Sequence, residues 1–183
     1  KNPKNRHGIV HCQITNQRIL EAMKQQDILA YIQPVFIDLD MNTVEPAIGS
    51  ERMDKIYAWK SMLDLGIHTS GGSDAPVVSF DAMENIYFAV TRRNIQGQPE
   101  EGWIPSEKMS VDEAVKLFTK NAAYASYTED ENGTIEVGKN ADFVVLERDI
   151  YQIDPEEIKT TKVDLTILGG KPVYERKTAE RAL

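Results

Sequence analysis

The sequence predicts an α/β fold, a parallel sheet covered by helices, built either as a barrel or as a doubly wound sheet. Three observations carry this. Short β-branched runs and amphipathic stretches alternate strictly from Gly8 to Asn94. The connections between them are short, as in repeated strand and helix units. The chain has 183 residues, 41% of them hydrophobic, which is enough to build a sizeable core and argues against disorder.

GIVHCQ, residues 8–13, reads as a strand, Thr15-Asn16 as a cap, and QRILEAMKQQ as the helix that follows. The apolar run Ile28 to Phe36 is a second strand that stops at Gln33-Pro34, because a proline cannot donate to a central ladder. After a polar connection, Arg52 to Leu65 places Ile56, Trp59, Met62, Leu63 and Leu65 at helical spacing, and Gly66 suits the position just past a helix end. Ile67 to Ser70 is a third strand and leads into GGSDAPV. A helix is expected from Ala82 to about Asn94, with Met83, Ile86, Tyr87 and Val90 on one face.

Ser110 with Glu113 three residues on is a capping box, and Val111, Ala114, Val115, Phe118 and Ala122 extend one apolar face to about Tyr124. Beyond the acidic turn 129–133 the helical period disappears. Phe143 to Leu146 reads as a strand, and Val163–Leu168, Gly169-Gly170 and Lys171–Tyr174 as a β-hairpin. The division expected is an α/β part over 1–128, a small β part over 129–176 and a polar tail over 177–183. Three units do not close a barrel, which takes eight and roughly 250 residues.

The net charge of −8, with 21 Lys and Arg against 29 Asp and Glu, and the lack of a basic run argue against nucleic acid or an anionic membrane as partner. One cysteine, Cys12, cannot form an intrachain disulfide, and no apolar run is long enough to span a bilayer. These features predict a soluble cytoplasmic protein. The start at Lys1 shows neither an initiator Met nor a signal-type apolar stretch, which leaves open that the natural amino terminus lies elsewhere.

Three histidines are present, His7, His11 and His68. Along an extended segment His7 and His11 lie about 13 Å apart, too far to share one metal. His11 is at the carboxyl end of its strand, where parallel α/β folds place their chemistry, so it is the candidate ligand. The competing reading is a satisfied core histidine. Asp74, in GGSDAP, follows the third strand and reaches the same end. An acid there can bind a metal, accept a proton from water, or simply cap the next turn. His68 opens its strand and is expected to be structural. Trp59, Tyr57, Tyr87 and Phe88 are expected in the core, and Arg92-Arg93 as a solvated helix end. Gln13, Gln33 and Arg52 lie near the carboxyl face as candidate substrate contacts, although exposed Gln and Arg are usually only solvated. P-loop, dinucleotide and nucleophile-elbow motifs are absent.

RHGIVHCQ (6–13), GSERMDKIYAWKSMLDLG (49–66), GGSDAPV (71–77), AVTRR (89–93), MSVDEAVKLFTKNAAYAS (109–126), ENGTIEVGKNADFVVLERD (131–149) and TILGGKPVYE (166–175) together resemble the carboxyl-terminal part of a YtcJ-like metal-dependent hydrolase of the amidohydrolase superfamily, amidohydrolase 3 type. The resemblance runs from Arg6 to about Glu175. It implies a metal-dependent (β/α)₈ TIM barrel whose sixth, seventh and eighth strands lie here, with part of a small β-sandwich. It also implies His11 and Asp74 as metal ligands, Asp74 as general base, and a divalent cation, zinc by preference, in the complete enzyme. The substrate class implied is a small molecule with a non-peptide C–N bond of amide type. The superfamily's H-x-H pair and its ligands on the fourth and fifth strands have no counterpart here. Two ligands hold a divalent ion poorly, so this portion alone is expected to be inactive and to require the missing half of the barrel or a second copy of itself. The competing function is a non-catalytic half-barrel that serves as scaffold or small-molecule binder.

Overall fold

The computed structural model describes residues 5–177; the expected polar tail lies outside it beyond Lys177. Three short strands form a parallel sheet in the order β1 (Gly8–Val10), β2 (Leu29–Ile32), β3 (Thr69–Gly71). Val10 pairs with Tyr31 and Ile32 with Gly71, so the three carboxyl ends lie side by side. Helices make the crossovers: α1 (Gln17–Gln26) between β1 and β2, and α4 (Trp59–Asp64) before β3. Ala30 and Ile32 of the central strand are fully buried, whereas all of β1 is exposed on the sheet edge.

Local chemistry accounts for most element ends. Asn16 caps α1 by accepting from the Ile19 N–H at 2.9 Å, and Gly66 follows α4 with φ +77°, a conformation that suits a residue lacking Cβ. The capping box is present: the Ser110 hydroxyl accepts from Glu113 N–H, and Glu113 accepts from Ser110 N–H. The Gly169-Gly170 turn has positive φ at both residues, as a two-residue hairpin turn requires, and joins β5 (Val163–Leu168) to β6 (Lys171–Glu175). With β4 (Phe143–Leu146) they make an antiparallel sheet in the order β4-β5-β6. This is one sheet, and a second sheet facing it is not among the described residues.

Several expectations are corrected. The first strand ends at Val10, because His11 and Cys12 both turn to positive φ. The polar connection after β2 contains two five-residue helices, α2 (Phe36–Asp40) and α3 (Val44–Ile48), too short to show a period. The helix expected over 52–65 begins only at Trp59. Ile56 instead makes a β-bridge with Ile14, and Lys55 and Tyr57 have positive φ, so the apolar spacing there reflects a buried loop. The helix after Ser110 is two helices, α6 (Val111–Leu117) and α7 (Lys120–Ala125), separated where Thr119 leaves helical geometry.

Helix α5 (Ala82–Thr91) is buried nearly all round and packs against α6 and α8 (Pro155–Ile158). It ends at Thr91, and the solvated arginine pair expected there is overturned at its first member. Arg92 is fully buried, while Arg93 reaches Glu156 at 2.8 Å. Trp59, Tyr57, Tyr87 and Phe88 are core residues as expected, although Tyr57 sits in the loop before α4.

Candidate active site at the carboxyl ends of the strands

His11 is the first residue past β1 and Asp74 the third past β3, with the end of β2 between them. The His11 Nε2 lies 3.7 Å from Asp74 Oδ2, and both side chains are 37% exposed. That separation is longer than a hydrogen bond. It is close to the roughly 3.4 Å between N and O donors that share one tetrahedral zinc at ordinary bond lengths. The other ring nitrogen, Nδ1, is buried without a hydrogen-bond partner among the described residues. The imidazole packs edge-on against Phe36, at 5.2 Å between centroids. Its orientation is therefore set while neither nitrogen has a hydrogen-bond partner among the described residues.

Both residues occupy left-handed backbone, with φ +67° at His11 and +65° at Asp74, and Cys12 follows at +49°. Such conformations outside glycine cost energy and gather at functional sites. The Cys12 thiol is buried, which pushes it up to about 11 and makes it an unreactive neighbour.

The three candidate substrate contacts fare differently. Gln13 donates from Nε2 to Asp40 Oδ2 at 2.9 Å, and the Tyr57 hydroxyl donates to the same carboxylate oxygen. Gln33, at the end of the central strand, is 93% buried by its 7% exposure, and its Oε1 has no partner among the described residues. Arg52 is 69% exposed and turns to its neighbour Glu51 at 3.8 Å. The structure thus groups His11, Asp74 and Gln33 at one end of the sheet and leaves Arg52 outside. The contacts of Asp40 and Tyr57 with Gln13 were not legible in the sequence: Tyr57, in the 49–66 motif, was expected only as core, and the folded loops alone bring both residues to Gln13.

His11 and Asp74 supply one nitrogen and one oxygen donor suited to a divalent cation, and the unsatisfied ring nitrogen fits that use. Among the described residues no group of three or more His, Cys, Asp or Glu side chains is arranged to hold a metal. The pair fits part of a site.

Residues 1–174 match the amidohydrolase family. The chain belongs to that family. The putative amidohydrolase YtcJ of Bacillus subtilis is 35% identical over 176 residues, 95% of this chain and 33% of that protein. The N-substituted formamide deformylase of Arthrobacter pascens is 37% identical over 122 residues, 67% of this chain and 22% of its own length. An uncharacterized metal-dependent hydrolase from Pyrococcus horikoshii shares the fold, with TM-score 0.72 and 23% identity, across 81% of this chain and 30% of that one. This amidohydrolase chain therefore spans a third or less of the length of these three proteins. Among its described residues no helix is long and apolar enough to cross a membrane.

Proposed function

We propose that this chain is the carboxyl-terminal part of a cytoplasmic, metal-dependent amidohydrolase that hydrolyses a non-peptide C–N bond of amide type in a small molecule. The observation that carries the proposal is the His11–Asp74 pair, 3.7 Å apart at the carboxyl ends of a parallel sheet, with one imidazole nitrogen unsatisfied. On this reading β1, β2 and β3 are the sixth to eighth strands of a (β/α)₈ barrel, and β4–β6 belong to a small β-sandwich. The exposed edge strand β1 is the place where the upstream half of the barrel, or a second copy, would pair.

His11 and Asp74 would hold the metal, for which zinc suits the donors. When bound there, such a cation would supply Lewis-acid polarisation of the scissile carbonyl and a lowered pKa for the attacking water. Asp74 accepts the water's proton on its carboxylate as the C–O bond forms, then returns it to the departing amine as the C–N bond breaks. Gln33 would serve as a substrate contact, whereas Gln13 would have to release Asp40, and Arg52 would have to swing in from solvent, to reach substrate.

The test is Asp74→Asn in the full-length protein, assayed against a panel of N-formyl and N-acyl amines. Turnover at least roughly 100-fold lower with an unchanged fold is the expected result. Full activity in the variant overturns the role given to Asp74, and a wild-type protein that neither binds zinc nor turns over any amide favours the non-catalytic scaffold.

A further inference from the structure

One fully buried charged side chain lies outside the His11–Asp74 pair. Arg92 caps α5 in a left-handed conformation, φ +58°, and is completely inaccessible. Its Nε donates to the Trp103 carbonyl at 2.9 Å, and its Nη1 donates to the Tyr57 carbonyl at 3.0 Å. The guanidinium lies over the rings of Trp59 and Trp103, at 5.2 and 5.5 Å from their centroids. Burial lowers its pKa to about 10, opposed by the field of the buried Glu107. Glu107 is itself engaged, accepting from the Ser61 N–H at 2.8 Å and from the Ser61 hydroxyl in the first turn of α4. Arg92 is thus held for a purpose other than a direct ion pair.

We infer that Arg92 is a positioning residue for the segment that carries His11, acting through Tyr57; the inference rests on the amidohydrolase reading of the His11–Asp74 pair. The peptide groups of Tyr57 form the link. Its carbonyl accepts the Arg92 Nη1–H, while its N–H donates to the Gln13 carbonyl at 2.7 Å. Its hydroxyl reaches Asp40, which also receives the Gln13 side chain. Gln13, two residues past His11, is therefore held at its main chain by Tyr57 and at its side chain by Asp40, the carboxylate that Tyr57 also contacts. The Ile14–Ile56 bridge and the Thr15 hydroxyl on the Lys55 carbonyl extend the grip along the same loop. On the other side, Phe36 and Asp40 lie one turn apart on α2, Phe36 against the His11 ring and Asp40 on Gln13.

Tyr57 itself needs such a hold, because φ +46° is a disfavoured conformation for a bulky aromatic residue. A planar guanidinium can span two carbonyls in a fixed geometry, which a lysine ammonium on a flexible stem cannot reproduce. With the fork loosened, Tyr57 relaxes, the 11–15 turn loses its anchor, and His11 leaves the orientation that faces Asp74.

The experiment uses the full-length protein and cobalt(II) alone as probe, with affinity measured by chelator competition, the visible ligand-field spectrum, and melting of the metal-free protein. Arg92→Lys is expected to lower cobalt affinity roughly 10-fold and to change the spectrum. Tyr57→Phe, which keeps the fold's buried ring, is expected to lower affinity several-fold with metal-free melting within about 2 °C of wild type. If Arg92→Lys does not fold, Arg92→Met, which keeps a long buried stem and removes the donors to the Tyr57 and Trp103 carbonyls, carries the test of Arg92, and Tyr57→Phe tests only the hydroxyl contact with Asp40. Wild-type cobalt affinity in the folded variants, whether or not they melt earlier, overturns the positioning role and leaves the metal site standing. A wild-type protein that binds no cobalt overturns the amidohydrolase reading of the pair, and with it this inference.

Discussion

The two ends of the parallel sheet carry the same kinds of residues and treat them in opposite ways. At the amino end, His68 is satisfied: its Nε2 pairs with the Asn121 carbonyl at 2.8 Å and its ring lies against Tyr124. Beside it Arg6 is sandwiched between Tyr124 and Tyr127 and paired with Glu129, so the start of the described chain is tied to the turn after α7. A cavity of about 550 Å³ opens there, lined by His7, Lys24 and His68 among others. At the carboxyl end His11 and Gln33 each bury a polar atom that has no partner among the described residues. The amino end pairs His68 and Arg6, whereas the carboxyl end, although it pairs Gln13 with Asp40, leaves a His11 ring nitrogen and the Gln33 oxygen without partners among the described residues.

That contrast can be broken most sharply at His11. Replacement by glycine removes the ligand and relieves the positive φ together. Zinc affinity of the full-length protein should fall by at least roughly 100-fold, while melting of the metal-free protein is unchanged or higher. Lower metal-free stability would show that His11 is a structural histidine like His68.

A smaller effect separates two neighbouring glycines at the carboxyl end. A Cβ on Gly71 would lie 2.7 Å from Phe118 Cζ and 3.0 Å from Leu117 Cβ, whereas one on Gly72 would meet nothing within 4 Å. Gly71→Ala should cost about 1–3 kcal/mol in denaturant unfolding, and Gly72→Ala should be close to neutral; equal effects would mean that α6 does not press on the end of β3.

At the amino end His68→Ala should cost about 1 kcal/mol through the lost hydrogen bond and ring contact and leave any turnover intact. Reduced turnover with an intact fold would contradict the division between the ends. Burial lowers the His68 pKa, so the folded state favours the neutral ring, and its contribution is present above the ordinary 6.5 and is lost as pH falls below it.

The smallest effect concerns Glu129, whose carboxyl the Arg6 guanidinium holds down at about 2, against the ordinary 4.5. The stability it supplies is present above 4.5 and is lost as pH falls from there towards 2. Arg6→Ala should flatten the acid limb of the stability curve in that window, and an unchanged limb would remove the pair from the account.

Much of the frame was legible because it depends on local chemistry. The Ser110–Glu113 box, the Gly66 stop, the Asn16 cap and the Gly169-Gly170 hairpin each act within four residues, and all are observed. His11 and Asp74 were legible as candidates from their places after strands, and the fold does bring them within 3.7 Å. Arg92 was misread because its partners, the carbonyls of Tyr57 and Trp103, stand 35 and 11 positions away. The stretch 52–58 was misread because its buried end, Ile56 to Ala58, runs directly into Trp59 and Met62 and so continues the apolar pattern of the helix back into a loop.

By itself, then, the sequence determined the alternation of strands and helices, their caps and turns, the family, and which two residues merit attention at the carboxyl end. Only the tertiary structure decided that the His11 ring is oriented but unsatisfied, that Gln13 is held by Tyr57 and Asp40, and that Arg92 lies inside. The physical reason is range: caps and turns are settled by neighbours along the chain. Burial, unpaired polar atoms and left-handed backbone are settled by groups that become neighbours only when the loops after β1, β2 and α3 close on one another.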